Sequence, residues 1–100
     1  MRRVDLTKKK NVYKFWIHTS KLLNIMIGIE QQNPKIVWYI RLDNGMKFSN
    51  ENSEGKQYIP LDVKPKEGDI IKLVIQNSKM YYFINGKCLG HAFELPEVDS

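Results

Sequence analysis

The segment from Gly68 to Leu95, GDIIKLVIQNSKMYYFINGKCLGHAFEL, constrains the fold more than any other part of the chain. It reads as three consecutive strands, Ile70 to Gln76, Met80 to Ile84 and Cys88 to Phe93. Asn77-Ser78 turns the first into the second, and Asn85-Gly86 turns the second into the third. A type I′ turn needs positive φ at both central residues, which asparagine and glycine tolerate best, so Asn-Gly between two apolar runs marks a hairpin. Two hairpins in series commit this part of the chain to an antiparallel sheet.

The remaining sequence continues in the same style. Val12 to His18 alternates, placing Val12, Lys14, Trp16 and His18 on one face and Tyr13, Phe15 and Ile17 on the other. Asn24 to Glu30 places Ile25, Ile27 and Ile29 on one side and Met26 and Gly28 on the other, as in a central strand. Gly28 in its middle predicts a close approach by another backbone or a bulky ring. Gln31 to Lys35 is a loop, because Asn33-Pro34 breaks pairing. Ile36 to Leu42 is a further strand, Asp43-Asn44-Gly45 turns it, and Met46 to Ser49 returns. Asn50 to Lys56 reads as a polar loop, with a brief extended piece over Gln57 to Leu61. The sum is seven or eight short strands and no helix, an all-β chain expected to form an antiparallel two-sheet β-sandwich. Alternation assigns Ile25, Ile27, Ile71, Leu73, Ile75, Met80, Tyr82, Ile84, Leu89 and Phe93 to the interior.

One hundred residues suffice for one domain with a modest core. The organisation expected is a basic tail over residues 1–10, a β-sandwich over 11–95 and a short C-terminal tail over 96–100. Sixteen basic residues against eleven acidic ones leave a formal charge of +5. Arg2, Arg3, Lys8, Lys9 and Lys10 hold most of the excess, against Asp5 alone. The first ten residues are therefore the basic part, and the rest is nearly neutral. After residue 10 the linear sequence shows no basic stripe with interleaved aromatics, so nucleic acid is not the expected partner. Cys88 is the sole cysteine, which excludes an internal disulfide and suggests a reducing, cytoplasmic setting. No apolar run is long enough to span a bilayer.

Four segments resemble, in order, those of the SPRY family of protein-recognition domains, whose fold is a concanavalin-like sandwich. They are Val12 to Ile17, Asn24 to Ile29, Trp38 to Asn50 (WYIRLDNGMKFSN), and the closing Gly68-Asp69-Ile70-Ile71, Met80-x-Tyr82-x-Ile84-Asn85-Gly86 and Leu89-Gly90-x-Ala92-Phe93. The resemblance covers roughly residues 12–95, and its closing portion is the most specific. Tyr39 stands where the family commonly has glycine, and Tyr82 where it has phenylalanine. The family usually has strands before and after this span, so a minimal version, a fragment, or a domain completed by another chain are the readings it leaves open.

The resemblance implies a non-catalytic protein–protein interaction module that holds a partner peptide with loops at one rim. Because successive connections of a meander alternate ends, the Gln31–Lys35 and Asn50–Lys56 loops should share that rim. Gln31, Gln32, Asn33, Lys35, Asn50 and Asn52 are the expected partner-binding residues, their amides suited to a peptide main chain. A galectin-like lectin is the alternative, since NIMIGI followed by Asn33-Pro34 is similar to that family's sugar-reading segment. Gln31 and Lys35 stand where galectins have histidine and arginine, and lysine lacks arginine's forked donor. A structural subunit of a larger assembly is the third reading. His18 and His91 have no nucleophile at a recognisable spacing, and the glycines form no phosphate cradle. No enzyme activity, cofactor or metal is expected.

Overall fold

The computed structural model describes residues 10–96. Eight strands run antiparallel to their neighbours: β1 (Lys10–Trp16), β2 (Met26–Gln31), β3 (Ile36–Arg41), β4 (Met46–Ser49), β5 (Asn52–Gln57), β6 (Ile70–Gln76), β7 (Lys79–Ile84) and β8 (Lys87–Glu94). Among the described residues there is no helix, and so none long and apolar enough to cross a membrane. The strands form two four-stranded sheets, ordered β1-β6-β7-β8 and β2-β3-β4-β5. Each sheet is the frame of one compact unit. The first unit holds β1 and the chain from Asp69 onward, the second Ile17–Gly68.

In the first unit the two expected turns are in place. Asn77 and Ser78 have φ of 53° and 60°, and Asn85 and Gly86 have 50° and 86°, the positive values that the hairpins demand. Asn85 does a second job. Its Oδ1 accepts from the Ile70 amide at 2.9 Å, and its Nδ2 donates to Asp69 Oδ1 at 3.0 Å. Asp69, one of two buried polar residues described, thus anchors the turn to the start of β6. Leu73 lies opposite Tyr82, Ile71 opposite Ile84 and Ile75 opposite Met80, and all six are buried. A register shift between Met80 and Tyr81 marks an irregularity in β8, where Ala92 is buried while Phe93 and Leu89 are only half-buried.

In the second unit Ile27 pairs with Ile40 and Ile29 with Trp38, which puts Ile27, Trp38 and Ile40 on the buried face. Gly28 lies opposite Tyr39 on the other face. A Cβ built on Gly28 would run into the Trp38 carbonyl and stand 2.5 Å from Tyr39 Cα, which is the close backbone approach expected of this glycine. Tyr39 stacks on Phe48 with ring centroids 5.2 Å apart, and Phe48 in turn fills the space that a side chain at Gly55 would need.

Several expectations change. Asn52–Gln57 is a strand, not part of a loop, and pairs at the edge of β4 with a register shift between Lys47 and Ser49. β1 begins at Lys10 and ends at Trp16, so Lys10 belongs to a strand; the rest of the expected basic tail lies outside the described residues. Ile25, Leu89 and Phe93 are half-buried where the interior was expected. Of the two tryptophans, Trp38 is core at 8% exposure, whereas Trp16 stands 56% exposed.

Candidate functional site

The expected rim exists at one end of the second sheet. Gln31 closes β2, Gln32 to Lys35 form the connection to β3, and Asn50-Glu51 turns β4 into β5 at the same end. The two connections are joined by one side chain. Asn50 Oδ1 accepts from the Val37 amide at 2.8 Å, and its Nδ2 donates to the Lys35 carbonyl at 3.3 Å. The structure therefore brings Gln31, Gln32, Asn33, Lys35, Asn50 and Asn52 to one end, but most are already engaged. Asn52 Oδ1 accepts from the Gly55 amide, Gln32 donates to Glu30 at 2.9 Å, and Lys35 lies 3.7 Å from Glu30. Asn33 is held at a φ of 55°, a conformation asparagine tolerates. Asn50 and Asn52 thus order the rim, where Asn33 is exposed and Gln31 is half-buried on the Ile27 face of β2.

The opposite end of this sheet holds a feature that sequence reading missed. The connection before β2, the turn at Asp43–Gly45 and the segment after β5 enclose an open groove of about 510 Å³. That volume is within the range of small-ligand and peptide sites. Its apolar lining includes Leu22, Leu42 and Ile59. At its borders stand Leu23, 71% exposed, and Leu61, 72% exposed. Two leucines left in water beside a concave surface differ from scattered exposed side chains, because the concavity offers them a common partner surface.

The groove's walls are fixed by hydrogen bonds. Arg41 grips Asp43 with two bonds, Nε to Oδ1 at 3.0 Å and Nη2 to Oδ2 at 2.7 Å. The same Nη2 donates to Asn24 Oδ1 at 3.3 Å, which links the Leu22–Ile25 turn to the Asp43–Gly45 turn. The hydrogen bond from Arg41 holds the Asp43 carboxyl below its ordinary pKa of 3.8, and the same bond raises the guanidinium. Gln57 Nε2 donates to the carbonyls of Asn44 and Ile59, at 3.1 and 2.7 Å. Gly45, at a φ of 71°, lets the Tyr58 and Ile59 amides reach its carbonyl. In the linear sequence Leu23 precedes the Asn24–Glu30 strand and Leu61 ends the Gln57–Leu61 extended piece, and nothing places the two together. The signal available was a leucine beside a turn-forming residue in each place, Asn24 after Leu23 and Pro60 before Leu61.

Among the described residues no three histidine, cysteine or carboxylate side chains gather as metal ligands. No protein-family model matches the chain, and no curated protein matches it either.

Proposed function

We propose that this chain is a non-catalytic recognition module of SPRY type that grips a short segment of a partner protein with loops at one end of its second sheet. The observation that carries the reading is the groove bordered by Leu23 and Leu61, with walls held by the Arg41–Asp43–Asn24 and Gln57 hydrogen bonds. A surface already fixed in shape loses little conformational freedom on binding, so more of the contact energy appears as affinity. Covering one exposed leucine contributes on the order of 2 kcal/mol, so two of them supply about half of the ~8 kcal/mol that micromolar affinity needs, and further contacts along the groove supply the rest. The Asn44 and Lys64 side chains beside the groove supply polar contacts to the peptide. The family resemblance implies the same kind of ligand, a peptide held by loops, and the groove is the reason to seek it at the end of the sheet opposite the Gln31–Lys35 rim.

Selection of peptides from a randomised display library against the full chain tests this. Enriched peptides should share at least one large apolar residue. Leu61→Asp should weaken their binding more than tenfold, whereas Gln32→Ala combined with Asn33→Ala should leave it unchanged. The reverse pattern would place the site at the rim of Gln31 and Asn33. Failure to enrich any peptide, with binding to a β-galactoside instead, would favour the lectin reading.

A further inference from the structure

The first sheet carries a face that the proposed peptide site does not use. Its other face buries Ile71, Leu73, Met80 and Tyr82. Strand register arranges the remaining side chains in rows across the four strands. Lys14, Lys72, Phe83 and Cys88 form one row. Val12, Val74, Tyr81 and His91 form the row beside it, with Lys10, Gln76 and Lys79 beyond. Trp16, paired with Ile70, ends the other side. The sequence shows no basic stripe with interleaved aromatics because its members lie on three strands; the pairing of β1 with β6, and β6 with β7, assembles one.

The charges in this face are unbalanced. Lys14 and Lys72 sit directly opposite one another, an arrangement of like charges that destabilises a sheet unless an anion relieves it. Lys72 lays its Nζ over the Phe83 ring, 4.3 Å from the centroid. Among the described residues no ion pair engages Lys10, Lys14, Lys72 or Lys79. Glu94, across from Lys79, is the one carboxylate these rows contain. Rings are interleaved with the lysines. Trp16 is 56% exposed, and Tyr81 meets His91 edge to face at 6.0 Å. Beside Tyr81 and Phe83 lies a depression of about 270 Å³ with Lys10, Val12, Lys72 and Val74 in its lining.

We propose that this face binds single-stranded nucleic acid, with Lys10, Lys14 and Lys72 on the phosphates and Trp16 and Tyr81 stacked on bases. Binders of single strands combine a basic track for the backbone with aromatic platforms for the bases, and a flat antiparallel sheet presents both at once. Neighbouring rows on this face stand ~6.8 Å apart, so successive nucleotides meet lysine and ring in turn. A duplex keeps its bases stacked inside and offers the rings nothing. An acidic peptide would satisfy the lysines and leave Trp16 and Tyr81 uncovered.

Cys88, the sole cysteine and exposed in the Phe83 row, reports on the face without any substitution. An oligouridylate of about twelve nucleotides should slow its reaction with a thiol reagent and quench Trp16 fluorescence. Anisotropy of the labelled oligonucleotide with the full chain should show binding that weakens steeply between ~50 and ~200 mM salt. Lys14→Glu with Lys72→Glu should lower affinity at least ~10-fold and flatten the salt dependence by about two charges. Trp16→Ala should weaken binding about tenfold while leaving the melting temperature in place. If Lys72→Glu fails to fold, Lys10→Glu with Lys14→Glu, both at exposed positions, serves instead. Absence of binding, or binding without protection of Cys88, overturns the proposal. So does affinity that survives these substitutions, which would assign it to the basic residues before Lys10. Equal competition by polyglutamate or by anionic vesicles would mean a general anion surface and overturns it as well.

Discussion

Gly28→Ala is a one-methyl change whose cost follows from the geometry of the second sheet. The added Cβ would lie 2.5 Å from both Cα and Cβ of Tyr39, with the Trp38 carbonyl closer still. Non-bonded carbons are comfortable at ~3.5 Å or more, so β2 and β3 would have to part locally by about 1 Å. The obstacle is mainly backbone, so rotating a side chain relieves little of the clash. Separation stretches the ladder bonds around the Gly28–Tyr39 pair, each contributing ~1 kcal/mol, and displaces the Tyr39–Phe48 stack. Overpacking of this kind costs about 1–3 kcal/mol. Against it stands the ~0.5–1 kcal/mol that alanine saves over glycine in unfolded-chain entropy. The net expectation is a loss of about 1–2 kcal/mol, read from urea unfolding with an unchanged m-value. In a chain of this length that is a drop of at least ~4 °C in melting temperature. A variant as stable as the parent, or more so, would refute the argument, because it would show that β3 has room to move at no cost.

Other expectations concern single contacts. Tyr82→Ala removes a fully buried ring opposite Leu73 and should cost on the order of 3 kcal/mol in denaturant unfolding. Asn50→Ala removes the bonds to Val37 and Lys35; it should cost about 1 kcal/mol and speed amide exchange at Val37. Asp43 has its carboxyl pKa lowered in the folded state, so its contribution to stability is present above the ordinary value of 3.8 and is lost as pH falls through the lowered one. Asp43→Asn should therefore remove part of the acid-side decline in stability, seen as a shallower unfolding-versus-pH curve below the ordinary carboxylate range.

The three closing strands were legible because local and long-range signals agree there. Asn85 is both the turn residue and the clamp on β6, and the alternation of Ile71, Leu73 and Ile75 matches that of Met80, Tyr82 and Ile84. β5 was hidden because NSEGKQ has almost no strand propensity; it extends by pairing with the edge of β4, and its Glu54 and Lys56 suit an exposed edge. The alternation of connections brings the Gln31–Lys35 and Asn50–Asn52 connections to one end of the sheet, but their hydrogen bonds were not readable. Asn50 and Asn52 look like ligand-binding amides in a sequence and turn out to satisfy backbone. The groove needs Leu23 and Leu61 to meet across two turns, and the lysine–aromatic face needs Lys14 beside Lys72. Both are products of pairing between residues distant in the chain, which periodicity within one segment does not reveal.

The proposed site for a partner segment is the groove end of the second sheet, and titrating the isotopically labelled full chain with a selected peptide, while following its backbone amide resonances, tests it. Shifts should concentrate at Leu23, Asn44, Gly45 and Leu61, with Gln31 to Lys35 unmoved. Shifts centred on Gln31 to Lys35, with the groove silent, would contradict it.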